Sequence, residues 1–465
     1  MLDVVALKKV NQMRPEVDEL VEKIKSINMA MESQEPIFGV RWDKSSNPTL
    51  ERTDAAINMV ANVGEFGDED VVNDFDSAPI FGEMHNPNYE EPELDQWIRI
   101  PKFYIRKQDG PKYKSIQVSK NQYPGFYLPK VFWDFEKNKE LDYFDFGKHV
   151  GYVTGNKLYS HADKIPTVAT NIVNFRQYAK SRGKGYQILD IHAIDVLRTL
   201  MFVEFATLDI QTVMRGYTVG RYSADDKVAQ ATTGNYVLVD EVIASRFKEG
   251  QSISIGSSLG GNQRFYGRKI TKITPGFDDE LTQIQFDGEP VDIQVDDIIY
   301  NTAWETGFSP NIKKSQSGYL IANDGKYPCA YRGIENPFGD IFEWVDGINI
   351  NERQTWVADN VEDYASNLFA HPYRKIDYVN SMANGYVAEM GFDVNTPYAE
   401  FPTEVGATGT TYYSDYYYQS TGQRVARFGG SWSFGGHAGL SSWDLVNASS
   451  ASSVLTGARL LRKPL

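Results

Sequence analysis

Few side chains in this sequence have the type and spacing that catalytic chemistry needs. The only thiol is Cys329, so one chain can build neither a disulfide framework nor a cysteine-based metal site. The six histidines are His85, His149, His161, His192, His371 and His437. No two lie four residues apart and none forms a compact His-x-His cluster, so no local metal pair is written into the chain. With 62 acidic residues, any carboxylate pair singled out for glycoside hydrolysis is chance, although that reaction needs only two. There is no nucleophile elbow and no Ser-His-Asp motif. Gly256 to Gly261 lacks the lysine and the following helix of a phosphate loop, and reads as a flexible hairpin tip. No catalytic residue, metal ligand or cofactor is assigned.

Contact chemistry is better supplied. Aromatic residues make up 13%, with 28 Tyr, 25 Phe and 8 Trp. Tyr and Trp offer large amphipathic faces at low entropic cost, and a β-rich core packed with aromatics is the competing explanation. The densest run is Tyr412, Tyr413, Tyr416, Tyr417 and Tyr418. The formal charge of −15 argues against nucleic acid, whose phosphates are bound by Lys and Arg clusters, and against anionic membrane surfaces. The start, Met1 to Lys9, has no basic region followed by an apolar run, so no signal peptide is expected. Nor does any apolar stretch approach the roughly 18 residues of a membrane span.

At 465 residues the chain should divide into two to four domains. Val10, Met13, Val17, Leu20, Ile24, Ile27 and Met31 alternate spacings of three and four, a heptad seam. A helix is expected from Pro15, within an oligomerising segment 1–36, and a trimer is the expected assembly. Residues 37–74 read as a linker or attachment segment, and residues 97–107 as two strands joined near Pro101. The segment 188–206 is mostly apolar and reads as a buried helix, with His192, Asp195 and Glu204 on an exposed strip. Between 212 and 302 short β runs alternate with turns, as in Tyr236–Val239, Ser252–Ile255, Lys269–Ile273, Thr282–Phe286 and Val291–Val295. This predicts a small inserted β-barrel or sandwich.

Four segments follow one another in a known order: the 188–206 helix, Tyr331–Val345 with its Glu343-Trp344 pair, Arg427-Phe428-Gly429-Gly430-Ser431-Trp432, and Gly457-Ala458-Arg459-Leu460-Leu461. Together they resemble the formylglycine-generating (sulfatase-modifying factor) branch of the C-type lectin fold. The resemblance implies an α+β, C-type-lectin-like domain over 75–211 and 303–465, with the β insert between. Gly439–Ser450 and Gly457–Leu461 resemble the ends of phage receptor-binding proteins, and Phe38–Asp43 resembles the start of virion proteins from phages of Gram-positive hosts. Within the domain, Glu343 is expected to bond local backbone amides, Arg459 to pair with a core carboxylate, and Trp432 to be core.

Enzymes of that branch hold copper with two cysteines after the Gly-Gly-Ser-Trp element, and thiolate suits copper(I). Here no cysteine lies between Ser433 and Leu465, so the chemistry is expected to be absent. The resemblance places exposed loops between Trp432 and Gly457. Phe434, His437, Trp443, Asp444 and Asn447 there join Tyr412, Tyr413, Tyr416 and Tyr417 as candidate binding residues, with Trp443 equally open to a core role. The expected function is a non-catalytic bacteriophage virion protein, a fibre or receptor-binding protein located in the virion. Its expected partners are other virion proteins and host cell-surface polysaccharide or protein. A structural head-fibre, collar or tail-tip component is the alternative, followed by a metal-dependent oxidase.

Overall fold

A computed structural model describes residues 35–65, 71–87, 95–278, 280–309 and 318–465. The heptads from Val10 to Met31, and the trimer expected from them, lie outside the described residues.

Strands account for 39% of the chain and helices for 11%. Among the described residues there are eight sheets and three α-helices. The expectation of an α+β, lectin-like domain is therefore corrected: the protein is mostly β, built from many small sheets. The cause is visible in the periodicity. Among the described residues only Ile172–Lys180 and Ile191–Phe205 continue a helical pattern for more than two turns. Elsewhere apolar residues alternate, or come in short runs between turn residues, and pair into strands.

The largest sheet has nine strands. Its order runs Arg374–Val379, Gln354–Val357, Phe342–Asn351, Gln423–Phe428, Trp443–Asn447, Tyr416–Gln419, Gly385–Met390 and Pro402–Val405, with Thr456–Gly457 beside Phe342. A four-stranded sheet joins Tyr186–Ile188, Arg459–Arg462, Tyr143–Val150 and Trp97–Pro101. Another joins Glu51–Asp54, Phe38–Trp42, Lys114–Ser119 and Tyr104–Asp109. Two expectations change here. Trp97–Pro101 and Tyr104–Asp109 do not pair with each other but enter different sheets. The segment after residue 37 is no linker, because Phe38, Val40 and Trp42 alternate into the main core. Residues 228–299 gather a separate core from Val237, Ile253, Ile284, Phe286 and Ile299, under a five-stranded antiparallel sheet.

The helix Ile191–Phe205 runs through the main core. Asp190 caps it by accepting from Ala193 N at 2.8 Å, and Ala206 ends it in the left-handed region at φ 51°. All fifteen of its residues are buried, so His192, Asp195 and Glu204 do not form an exposed strip. Each meets a partner far away in sequence. Glu204 takes Arg332 Nη2 at 2.6 Å, Arg332 Nε at 2.8 Å, the Tyr331 hydroxyl at 2.8 Å and Asn73 Nδ2 at 3.0 Å. Asp195 takes Lys107 Nζ at 2.6 Å and the Tyr127 hydroxyl at 2.9 Å. His192 faces Asp359 at 3.4 Å. Buried charge survives only when paired and hydrogen-bonded, and the partners of Glu204 and Asp195 meet that requirement. Arg459 does pair with a core carboxylate, Glu343, at 2.7 Å. Glu343 thus bonds that guanidinium and not its local backbone amides.

Candidate binding platform

The strand Tyr416–Gln419 decides which tyrosines are available. Side chains alternate across a strand, and here Tyr417 is buried while Tyr416 and Tyr418 are half-buried. In the parallel neighbour, Tyr417 is in register with Trp443 and Tyr418 with Asp444. Tyr417 and Trp443 therefore share the inward face. The Trp443 ring meets Phe401 at 4.8 Å and Phe428 at 5.2 Å. Trp443 and Asp444 are not loop residues: their strand lies inside the nine-stranded sheet.

The opposite face is covered at one end and less covered at the other. At the covered end Trp344 is buried in a cluster with Phe175 of the Ile172–Lys180 helix. Next along the face, Arg427 Nη2 donates to Asp444 at 2.6 Å, and the Arg427 guanidinium lies 4.4 Å over the Phe342 ring. Asn447 is half-buried and donates to Asp444 at 3.1 Å. Beyond Asp444 come Tyr418 and Tyr416, and then Tyr386, which is directly opposite Tyr416 in the antiparallel neighbour. Cross-strand aromatic pairs of this kind stabilise a sheet face.

A short turn from the Gly430–Ala438 segment lies over these rings. The His437 imidazole stacks on Tyr416 with centroids 4.2 Å apart and planes 20° apart. The Tyr418 hydroxyl and His437 Nδ1 share a hydrogen bond at 2.6 Å. Phe434 meets Tyr418 edge-on at 5.7 Å and Phe342 at 4.8 Å. Gln211 holds the turn from below, donating to the carbonyls of Gly435 at 3.0 Å and Ala438 at 2.5 Å. Burial raises the Tyr386 and Tyr418 hydroxyl pKa values and lowers that of His437. At neutral pH Tyr386, Tyr418 and His437 therefore carry no charge.

Of the nine candidate residues, Tyr416, Phe434 and His437 come together on this platform. Tyr412 is half-buried elsewhere, 6.2 Å from the Trp42 ring. Tyr413 is buried 5.4 Å from Trp42, and burial pushes its hydroxyl up to about 12. Tyr413, Tyr417, Trp443 and Asp444 are too enclosed to offer a contact face. Tyr386 belongs to the platform but was not among the candidates. The one available signal was its place in Gly385–Met390, where it precedes the buried Val387.

Two other clusters lack catalytic geometry. Ser309 Oγ donates to Glu335 Oε1 at 2.5 Å, and Glu335 Oε2 meets His149 Nδ1 at 2.7 Å. The serine thus meets the carboxylate and not the imidazole, the reverse of a nucleophile–base pair. Asp340, pushed up to about 7 by burial, is fully enclosed and accepts from Trp304 N at 2.7 Å. The copper site of the formylglycine-generating branch does not fit these residues. Cys329 is the only thiol, it is fully buried, and burial raises its pKa well above the usual range. Among the described residues no three His, Cys, Asp or Glu side chains converge to hold a metal ion.

The chain matches no protein-family model and no curated protein.

Proposed function

We propose that this chain is a non-enzymatic attachment protein of a bacteriophage particle, and that it holds host cell-surface polysaccharide on the platform of Tyr386, Tyr416, Tyr418, Phe434 and His437. The observation that carries this reading is the ring stack itself. Two adjacent strands set Tyr386 across from Tyr416, and His437 lies flat on Tyr416. Three tyrosines on one sheet face, with Phe434 and His437 from the turn above, form a contiguous cluster of half-buried aromatic rings at the surface. Their positions are fixed by strands below and a tethered turn above, so little entropy is lost on binding. Uncharged ring faces suit the apolar C–H face of a sugar, while the tyrosine hydroxyls and the imidazole supply hydrogen bonds. The net charge of −15 disfavours polyanionic ligands. The virion setting rests on the likeness of Phe38–Asp43, Gly439–Ser450 and Gly457–Leu461 to phage proteins.

The test is binding of the full chain to bacterial cell walls and to an array of their polysaccharides. Wild type should bind a polysaccharide class. Tyr416→Ala and Tyr418→Ala should each lose about tenfold or more in affinity with an unchanged melting temperature, since hot-spot tyrosines exceed about 1.4 kcal/mol. Binding that vanishes after protease treatment of the walls would reassign the ligand to protein. Absence of wild-type binding, or binding indifferent to both variants, would overturn the reading.

A further inference from the structure

A second binding feature lies apart from the ring platform. Strand Phe38–Trp42 turns through residues 43–50 into its antiparallel neighbour Glu51–Asp54, and the hairpin 104–119 turns beside them at Lys112 and Tyr113. Strand alternation sends Phe38, Val40 and Trp42 into the core and Arg41 outward. Arg41, Asp43, Asn47, Glu51, Lys112 and Tyr113 line a cleft of about 300 Å³. That volume is at the lower end of small-molecule sites.

The lining defines the ligand chemistry. Arg41 and Lys112 balance Asp43 and Glu51, and Arg41 Nη2 meets Glu51 at 2.6 Å. A neutral balance gives an anion or a cation no net attraction. Ser45 and Thr49 complete the lining, which mixes polar groups with the apolar parts of the same side chains and so suits an amphipathic ligand better than a hydrocarbon. Tyr113 is 41% exposed, which offers a flat aromatic face, and the Arg41 guanidinium lies 5.9 Å from its centroid. Two polar groups are already oriented. Asp43 Oδ1 accepts from Ser45 N at 3.0 Å, and Asn47 Oδ1 accepts from Thr49 N at 3.0 Å. A planar amide, a carboxylate and an aromatic face, held in place around a neutral cleft, suit an uncharged polyhydroxylated ring.

We infer that this cleft is a saccharide subsite, which deepens the proposed function by making the ligand an extended neutral glycan. The segment 406–412 connects the two features. Ala407 N donates to the Tyr386 carbonyl at 3.3 Å, and Tyr412 N donates to the Ser46 carbonyl at 2.9 Å. Five residue steps reach at most about 18 Å, so a short chain of sugars can span platform and cleft. Occupying both sites at once raises avidity without any new contact.

The test is calorimetric titration of the full chain with neutral wall polysaccharide, and with teichoic acid as the polyanionic control. Wild type, Tyr113→Ala, Asn47→Ala and Tyr418→Ala are compared. Tyr113→Ala and Asn47→Ala should each weaken binding of the neutral polymer about tenfold, with little change in melting temperature because both residues are exposed. Loss with Tyr418→Ala but not with the two cleft variants would overturn the subsite and keep the platform. Loss with the cleft variants alone would keep the subsite and overturn the platform. Binding of teichoic acid alone would overturn the subsite, because a neutral cleft gives no preference for it.

Discussion

The helix Ile191–Phe205 and the strand Tyr416–Gln419 invert the usual rule in opposite directions. The helix carries charge into the core: Asp195, Arg198 and Glu204 are all buried. The strand leaves aromatic rings half-buried at the surface. In both places the side chain's surroundings, not its hydrophobicity, set its position. The helix has partners arriving from Lys107, Arg332 and Asp359. Tyr416 and Tyr418 have only other rings beside and above them. Paired charge in the core fixes which segments meet, while half-buried aromatic rings on a rigid face are the ones we propose to meet a ligand.

Removing one partner inside the core should give the largest effect. Arg332→Met leaves Glu204 charged and buried with two of its four donors gone. The expected loss is roughly 3–5 kcal/mol, read from the midpoint of urea denaturation. Replacing both members, as in Glu204→Leu with Arg332→Met, should recover part of that loss, since the buried ion pair is exchanged for apolar groups while the Tyr331 hydroxyl and the Asn73 amide lose their acceptor. A single variant as stable as wild type would remove the helix from this comparison.

Adjacent tyrosines sharpen the other side. Tyr417→Ala empties a buried site and should cost roughly 3–5 kcal/mol, as other large aromatic truncations do. Tyr418→Ala, one residue on, should change stability by less than about 1 kcal/mol while weakening polysaccharide binding about tenfold. Equal stability losses at the two positions would mean that strand parity does not separate core from platform.

These two regions also show what the sequence could disclose. The β runs between 236 and 293 were legible because Val and Ile alternate there, and period-two alternation is a local signal. The helix was legible for the same reason. Its charges were misplaced because the partners lie far along the chain: Lys107 is 88 residues from Asp195, and Arg332 is 128 from Glu204. A local window sees a polar residue and assigns it to solvent. The tyrosine run failed differently. Alternation cannot be read where neighbouring residues are identical, so Tyr417 and Tyr418 looked alike. Trp443 and Asp444 fall in the loops that the resemblance implies between Trp432 and Gly457, whereas strand pairing on both sides encloses them. The lectin-like expectation rested on four short motifs. Motifs fix local packing, as Trp432 and Arg459 confirm, but they do not fix how many sheets surround them.

Acid should separate the two regions again, with a smaller effect. Burial alone would raise Glu400, but Lys107, Arg198 and Lys114 outweigh it and hold the carboxyl down at about 2. A depressed carboxyl stabilises the fold above its unfolded value of 4.5, and that contribution is lost as pH falls from there towards about 2. Lys107→Met removes the nearest cation, so the acid unfolding midpoint should move to higher pH. A midpoint that stays in place would show that Lys107 does not set it.

The smallest effect belongs to His437, whose imidazole is held below its ordinary value of 6.5 by burial. The sign is opposite to that of a histidine with an acidic partner. The unfolded chain takes up the proton first, so stability declines as pH drops below 6.5 towards the folded value. Protonation would also place a charge in the ring stack and make both imidazole nitrogens donors, including Nδ1, which shares its hydrogen bond with the Tyr418 hydroxyl. Polysaccharide affinity should therefore fall on mild acidification, in step with the His437 ring resonances followed by NMR. In His437→Gln the affinity should be lower at neutral pH and flat across the same interval. If wild type and His437→Gln show the same pH profile, the imidazole is not part of the binding face, and the platform reduces to its tyrosines and Phe434.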